Sequence, residues 1–339
     1  MFNIERSGEE HRSLSYRDKF CVGCGICVNL CPTSSLKLGP LVPIARGLIE
    51  MDFISINSDS CVFCGLCSIA CPFDSLSLSI NGTNIKDMDS YPKWDVESKI
   101  HDEECIYCGR CHAICPRDSI LFERKIPQPA DLVRGEISVD KDQCIYCSFC
   151  EDMCPTGAIK LSNLPSDSND VLNNHIEVDV SKCIFCGVCK RVCPNDAIRQ
   201  ICSTCMYGDD IKIPDITGKA FISEESCVNC SWCLDICPVD AITITKPFTG
   251  SLKLIENEKE DKICKGESCH ACLDVCQCKA IVIEDNKSVT NLKFCNLCGA
   301  CIGACPQNIR VLSRTSMKLN NINSNSWEDI LNSLLSKMD

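Results

Sequence analysis

Short alternating apolar runs recur along this chain and never lengthen. DSLSLSI (74–80), DSILFE (118–123), GAIKLS (157–162), DAITIT (240–245) and KAIVIE (279–284) place apolar residues at every second position. FISIN (53–57), EISVD (136–140) and IEVDV (176–180) do the same. Period two over four to six residues predicts short, half-buried strands. No apolar run reaches the length of a membrane span. A helical period stands out near the end, where Trp327, Ile330, Leu331, Leu334, Leu335 and Met338 fall on one face. The polar stretch KLNNINSNS (318–326) before it reads as a linker. Ser326 with Asp329 is a candidate cap for that helix. A helix of about twelve residues is marginal alone in water, so it must dock, either on the last module of its own chain or on a partner subunit.

Between the strands lies one motif, repeated eight times. It begins at Cys21, Cys61, Cys105, Cys144, Cys183, Cys227, Cys264 and Cys295. Seven copies fit C-x2-C-x2-C-x3-C without a gap, as in CVFCGLCSIACP from Cys61. The seventh, CKGESCHACLDVCQ, has a four-residue first gap and Gln277 where the others have proline. Each repeat is thus strand, cysteine loop with a short helix, strand.

The spacing is that of a bacterial ferredoxin, in which three cysteines hold one [4Fe-4S] cluster and the fourth serves the other cluster of a pair. Three cysteines on a curled loop can reach three irons; the fourth sits a helical turn further on and points away. The following proline turns the chain outward. Gly25, Gly65, Gly109, Gly187 and Gly299, between the second and third cysteines, let the backbone approach the sulfides. Ser148, Ser231 and His270 stand there in the other three copies. Zinc ribbons use two separated knuckles rather than three cysteines in tandem, so eight [4Fe-4S] clusters are expected.

Sequential pairing predicts an α+β fold of four tandem bacterial-type 2[4Fe-4S] ferredoxin modules, each a pseudo-twofold pair of repeats. Their bounds are 1–85, 86–166, 167–250 and 251–314, with a linker and amphipathic helix over 315–339. Cys21, Cys24 and Cys27 then join Cys71, while Cys61, Cys64 and Cys67 join Cys31. Cys105, Cys108 and Cys111 join Cys154, and Cys144, Cys147 and Cys150 join Cys115. Cys183, Cys186 and Cys189 join Cys237, and Cys227, Cys230 and Cys233 join Cys193. Cys264, Cys269 and Cys272 join Cys305, and Cys295, Cys298 and Cys301 join Cys276. Insertion of one module within another would exchange the fourth ligands. Cys278 could replace Cys276, and Cys202 and Cys205 are read as free thiols. His112 and His270 lie inside motifs that already have four cysteines and are not expected to be ligands. Phe63, Tyr107, Tyr146 and Phe185 precede second cysteines, where packing against a cluster is favoured over electron relay.

Composition fits this picture. The chain has 339 residues, of which 35 are cysteine. Without them the apolar fraction falls from 45% to about 35%, too little for conventional cores of this size. The odd cysteine count and the polar start MFNIERSGEEHRS argue against a secreted disulfide scaffold, so reduced thiols and a cytoplasmic location are expected. A net charge of −12 disfavours nucleic acid as a partner. Four-thiolate clusters add roughly −16 when oxidised, and few cations stand near the motifs in sequence, so low potentials are expected. With every cluster fully liganded and no dinucleotide or phosphate loop, a non-catalytic electron wire or store is the leading reading. A structural or iron-storing scaffold is the alternative from another class, and a catalytic site at the irregular seventh motif is a third.

The repeats, with GPLVPIARGLIEMDFISIN (39–57) and SYPKWDVESKIHDEECIYCGRC (90–111), resemble the polyferredoxins of methanogenic archaea. They are most similar to the polyferredoxin subunits of formylmethanofuran dehydrogenase. That resemblance implies partners: the catalytic and ferredoxin-type subunits of a formylmethanofuran dehydrogenase complex, which reduces carbon dioxide with tungsten or molybdenum. It implies a hydrogenase or heterodisulfide reductase as electron donor, and a hydrogenase-associated polyferredoxin is the alternative within this class.

Overall fold

A computed structural model describes residues 2–125, 135–165, 172–201, 217–224, 226–322 and 325–335. Cys202, Cys205 and Met338 lie outside the described residues. The predicted strands form: Ile54–Ile56, Leu76–Ile80, Ile120–Lys125, Glu136–Val139, Ile159–Pro165, Leu172–Val178, Ile242–Ile244 and Ile281–Glu284. Each cysteine loop runs into a helix of only four or five residues, from Ile26–Asn29 in the first motif to Ala300–Gly303 in the eighth.

One pairing rule covers all eight repeats. The strand before one motif pairs antiparallel with the strand after its partner motif, and the reverse pair closes the unit. In the first two motifs His11–Tyr16 pairs with Leu76–Ile80, and Leu36–Leu38 with Ile54–Ile56. In the last two, Phe248–Leu254 pairs with Arg310–Met317, and Ile281–Glu284 with Lys287–Thr290. The fourth and fifth motifs pair through Glu136–Val139 with Ile198–Ile201 and Ile159–Pro165 with Leu172–Val178.

The third motif pairs with the sixth. Ser98–Ile100 lies against Ile242–Ile244, and Ile120–Lys125 against Thr217–Ile222. Their helices, Arg110–Ile114 and Trp232–Ile236, pack together, as do Phe149–Asp152 and Val188–Val192. The bounds 86–166 and 167–250 expected from sequential pairing therefore do not hold. The fourth and fifth motifs form an insertion that leaves after Lys125 and returns at Thr217, which are Cα partners. Ile120 and Ile222 are buried together with Ile100, Ile242, Cys111 and Cys233.

Both chain ends are tied in. A hairpin, Phe2–Ser7 with His11–Tyr16, extends the first sheet and buries Leu14 and Tyr16 against Leu76 and Leu78. The expected linker is partly a strand: Leu319–Asn320 pairs with Lys93–Trp94. The final helix runs over Asn325–Asn332. Leu331 and Leu334 are buried in the largest apolar cluster, shared by the first and last motif pairs, and Trp327 meets Tyr91 edge-on at 6.0 Å. The helix thus docks on its own chain. Among the described residues no helix is long and apolar enough to cross a membrane.

Candidate iron–sulfur sites

The sequence forces an unusual backbone at each motif. Three positions have positive φ in every copy: two after the first cysteine, one after the second and three after the fourth. The middle set is Gly25, Gly65, Gly109, Gly187 and Gly299, joined by Ser148, Ser231 and His270 in the same left-handed conformation. Glycine is therefore used here for its dihedral freedom. At Gly109 a Cβ would also lie 2.5 Å from the Phe122 ring. Phe63, Tyr107, Tyr146 and Phe185 hold the first left-handed position. Such kinks turn successive N–H groups inward, a geometry suited to an anionic guest.

Those N–H groups reach sulfur. The amides of Ser35, Ser119, Ala158, Ala197, Ala241 and Ala280 donate to Sγ of Cys31, Cys115, Cys154, Cys193, Cys237 and Cys276 at 3.2–3.3 Å. Tyr107, Phe185 and Leu297 donate to Cys105, Cys183 and Cys295 at 3.4 Å. At Cys31 and Cys154 burial favours the neutral thiol, but these donors outweigh it and the pKa falls. Deeper thiols go the other way. Burial, aided by neighbouring thiolates, pushes Cys24, Cys67, Cys111, Cys189 and Cys301 up to about 12. A cation placed among them would remove that penalty.

Four cysteines line each of four small pockets. The sets are Cys31 with Cys61, Cys64 and Cys67; Cys193 with Cys144, Cys147 and Cys150; Cys154 with Cys183, Cys186 and Cys189; and Cys305 with Cys264, Cys269 and Cys272. Phe63, Tyr146 and Phe185 wall three of them. Electrostatic neighbours define the other four sets. Cys71 faces Cys21, Cys24 and Cys27. Cys237 faces Cys105, Cys108 and Cys111. Cys115 faces Cys227, Cys230 and Cys233. Cys276 faces Cys295 and Cys301. The expected partnerships of Cys154 and Cys115 with the third and fourth motifs, and of Cys237 and Cys193 with the fifth and sixth, are thus exchanged, as the nested strands require. Among the described residues no three such donors converge tightly enough for a single metal ion. Sulfurs spread around a void suit a polynuclear cluster, so the residues fit [4Fe-4S].

In the seventh repeat Cys276 Sγ accepts from the amide four residues on, as do five other fourth cysteines. Cys278 is instead buried among Val22, Val228 and Phe294, and its carbonyl accepts from Trp232 Nε1 at 2.7 Å. Gln277, in place of proline, accepts from Arg117 Nη1 at 2.6 Å. His112 Nδ1 lies 2.6 Å from the Ile120 carbonyl, and His270 lines a void.

Third cysteines of paired motifs perturb each other: Cys27 with Cys67, Cys111 with Cys233, Cys150 with Cys189, and Cys272 with Cys301. Second cysteines face other pairs, as Cys24 does Cys298. The sites therefore adjoin one another both within and between pairs. Basic residues at those boundaries escaped sequence reasoning, although Arg110 lies inside a motif and Arg117 beside one.

Comparison with known proteins identifies the cysteine repeats as 4Fe-4S binding segments. A 4Fe-4S dicluster domain model matches residues 20–75, 104–158 and 143–197, and a second dicluster model matches 53–116. Models of 4Fe-4S binding domains match 220–243 and 295–309. Polyferredoxin protein FwdF of Methanocaldococcus jannaschii is 53% identical over 137 residues, 40% of this chain; the match spans only 39% of that relative. A chain of the formate dehydrogenase–heterodisulfide reductase–formylmethanofuran dehydrogenase complex from Methanospirillum hungatei superposes with TM-score 0.62 at 25% identity, covering 99% of this chain and 89% of the other. The chain is an array of 4Fe-4S ferredoxin-type domains, and over part of its length it is a homologue of the polyferredoxin FwdF.

Proposed function

We propose that this chain is a non-catalytic electron-transfer subunit that carries eight [4Fe-4S] clusters for a formylmethanofuran dehydrogenase. The observation that carries this reading is the continuity of the four-cysteine sets from one motif pair to the next. Each cluster supplies a one-electron redox centre when bound. The chain's residues do the rest. The ligands are the eight sets of three cysteines with a fourth from the paired motif: Cys71, Cys31, Cys237, Cys193, Cys154, Cys115, Cys305 and Cys276, in motif order. Backbone amides donate to the sulfurs and stabilise negative charge there. Phe63, Tyr146 and Phe185 exclude water. Facing third cysteines bring the two sites of a pair together. The four cluster pairs form three consecutive modules, with the pair of fourth and fifth motifs nested inside the module of the third and sixth.

The partners are the catalytic and ferredoxin-type subunits of that complex, in the cytoplasm, with a heterodisulfide reductase or hydrogenase as donor. The test is metal analysis of the tagged chain purified anaerobically from a native host with whatever accompanies it. Roughly 32 irons from this chain, with tungsten or molybdenum from partners, is the expected result. Nickel without either metal would assign the chain to a hydrogenase, and zinc in place of iron would overturn the electron-transfer reading.

A further inference from the structure

Basic side chains occupy the boundaries between cysteine sets. Arg110, 6% exposed, faces Cys108 of the third motif and Cys147, Asp152 and Cys150 of the fourth. Its Nε and Nη1 are buried without a hydrogen-bond partner. Arg310, 2% exposed, reaches Cys272 Sγ at 3.3 Å and Cys301 Sγ at 3.8 Å, bridging the two sites of the last pair. Three more surround the place where the first, sixth and eighth motifs meet. Arg314 lies between Cys24 and Cys298 and donates to the Cys298 carbonyl at 2.7 Å. Lys246 faces Cys295, Cys278 and Cys230 and donates to the Cys295 carbonyl at 3.0 Å. Arg117 faces Cys278 first and then Cys21, Cys115 and Cys227. Its hydrogen bonds go to the carbonyls of Lys19 and Ser226 and to Gln277 Oε1, all neutral acceptors.

Each edge of this triangle thus has its own cation: Arg117 between the first and sixth motifs, Lys246 between the sixth and eighth, Arg314 between the eighth and first. Charge held away from water needs an opposite charge nearby. The groups that these cations face in common are cysteine sulfurs. This corrects the expectation from sequence that few cations stand near the motifs: each of these cations also reaches cysteines of a repeat other than its own.

We infer that Arg117, Lys246 and Arg314 are positioning residues of an electron-collecting junction, at which the sites of the first, sixth and eighth motifs have the highest potentials in the array. The inference rests on the reading that clusters fill the four-cysteine sets. The physical reason is that each reduction adds one negative charge and breaks no bond, so a fixed cation stabilises the reduced state more than the oxidised one. Electrons entering along any arm then run toward the junction.

The test is a potentiometric titration of the intact chain with dithionite as reductant, followed by low-temperature electron paramagnetic resonance, with iron content measured in parallel. Arg117→Gln removes the charge and keeps a hydrogen-bonding side chain. At a fixed potential it should lower the reduced-to-oxidised ratio of the two sites it faces about tenfold, a shift of about 59 mV for one electron. Arg117→Lys should keep the original curve, and so should Lys219→Met on the exposed face of a strand. If Arg117→Gln loses iron, Lys246→Met decides by the same reading. An unchanged curve in an iron-replete neutral variant would overturn the inference, as would equal shifts from Arg117→Gln and Arg117→Lys. Clusters that dithionite cannot reduce in the unaltered chain would instead overturn the underlying function.

Discussion

Excision of residues 126–216, with Lys125 joined to Thr217 through Asn-Gly, separates the nested from the sequential arrangement. The two flanking residues are Cα partners at the open end of the ladder Ile120–Lys125 with Thr217–Ile222. A two-residue type I′ turn closes such a ladder and suits the strand twist. The excision removes the fourth and fifth motifs and leaves Cys105, Cys108, Cys111, Cys115, Cys227, Cys230, Cys233 and Cys237. Strand and helix pairing between the third and sixth motifs is untouched, because Ser98–Ile100 still meets Ile242–Ile244. Two of eight clusters should be lost, leaving roughly 24 of about 32 irons at four per cluster. Sequential modules would instead each lose one half, leaving roughly 16. Anaerobic purification followed by iron and acid-labile sulfide analysis reads the difference. A product near 16 irons, or one whose third and sixth motifs bind none, would refute the nesting.

Further outcomes follow from individual residues. Cys276→Ser should cost one cluster, about four irons, whereas Cys278→Ser should keep the full iron content, because Cys276 and not Cys278 accepts the amide bond found at five other fourth cysteines. Leu331→Ala should destabilise the docked terminal helix by about 2–5 kcal/mol, read by denaturant unfolding or protease sensitivity, since Leu331 is 0% exposed. Gly109→Val should impair cluster retention at the third motif, because φ is +79° and the Phe122 ring occupies the Cβ site; Gly109→Ser should be tolerated better, as Ser148 and Ser231 already hold this conformation. Removing iron with a chelator should melt the fold, seen by circular dichroism. Left-handed non-glycine residues cost roughly 1–2 kcal/mol each, and they recur in every motif.

The local unit was legible in the sequence because its signals are local. Alternation in DSILFE or KAIVIE marks strands, and cysteine spacing marks the loops between them. The N-terminal hairpin was not read, since FNIERS and HRSLSY are largely polar and only a few residues, Leu14 and Tyr16 among them, turn inward. Partnership among motifs was illegible for a different reason. CIYCGRC and CIYCSFC are nearly the same string, and nothing within either says which repeat it meets. That information lies in contacts between residues as distant as Ile120 and Ile222. The same holds for the cations: Arg117 looks like an ordinary residue after a proline until segments containing Lys19, Ser226 and Gln277 gather around it. Glycine between the cysteines suggests room for sulfide, whereas Ser231 and His270, also at positive φ, point to dihedral freedom as the requirement.

The most direct test of the account is the number of electrons the anaerobically isolated chain accepts in a reductive titration. Eight one-electron clusters predict bleaching of the iron–sulfur absorption with an uptake of about eight electrons per chain. An iron-replete chain that accepts none would contradict electron transfer as its function.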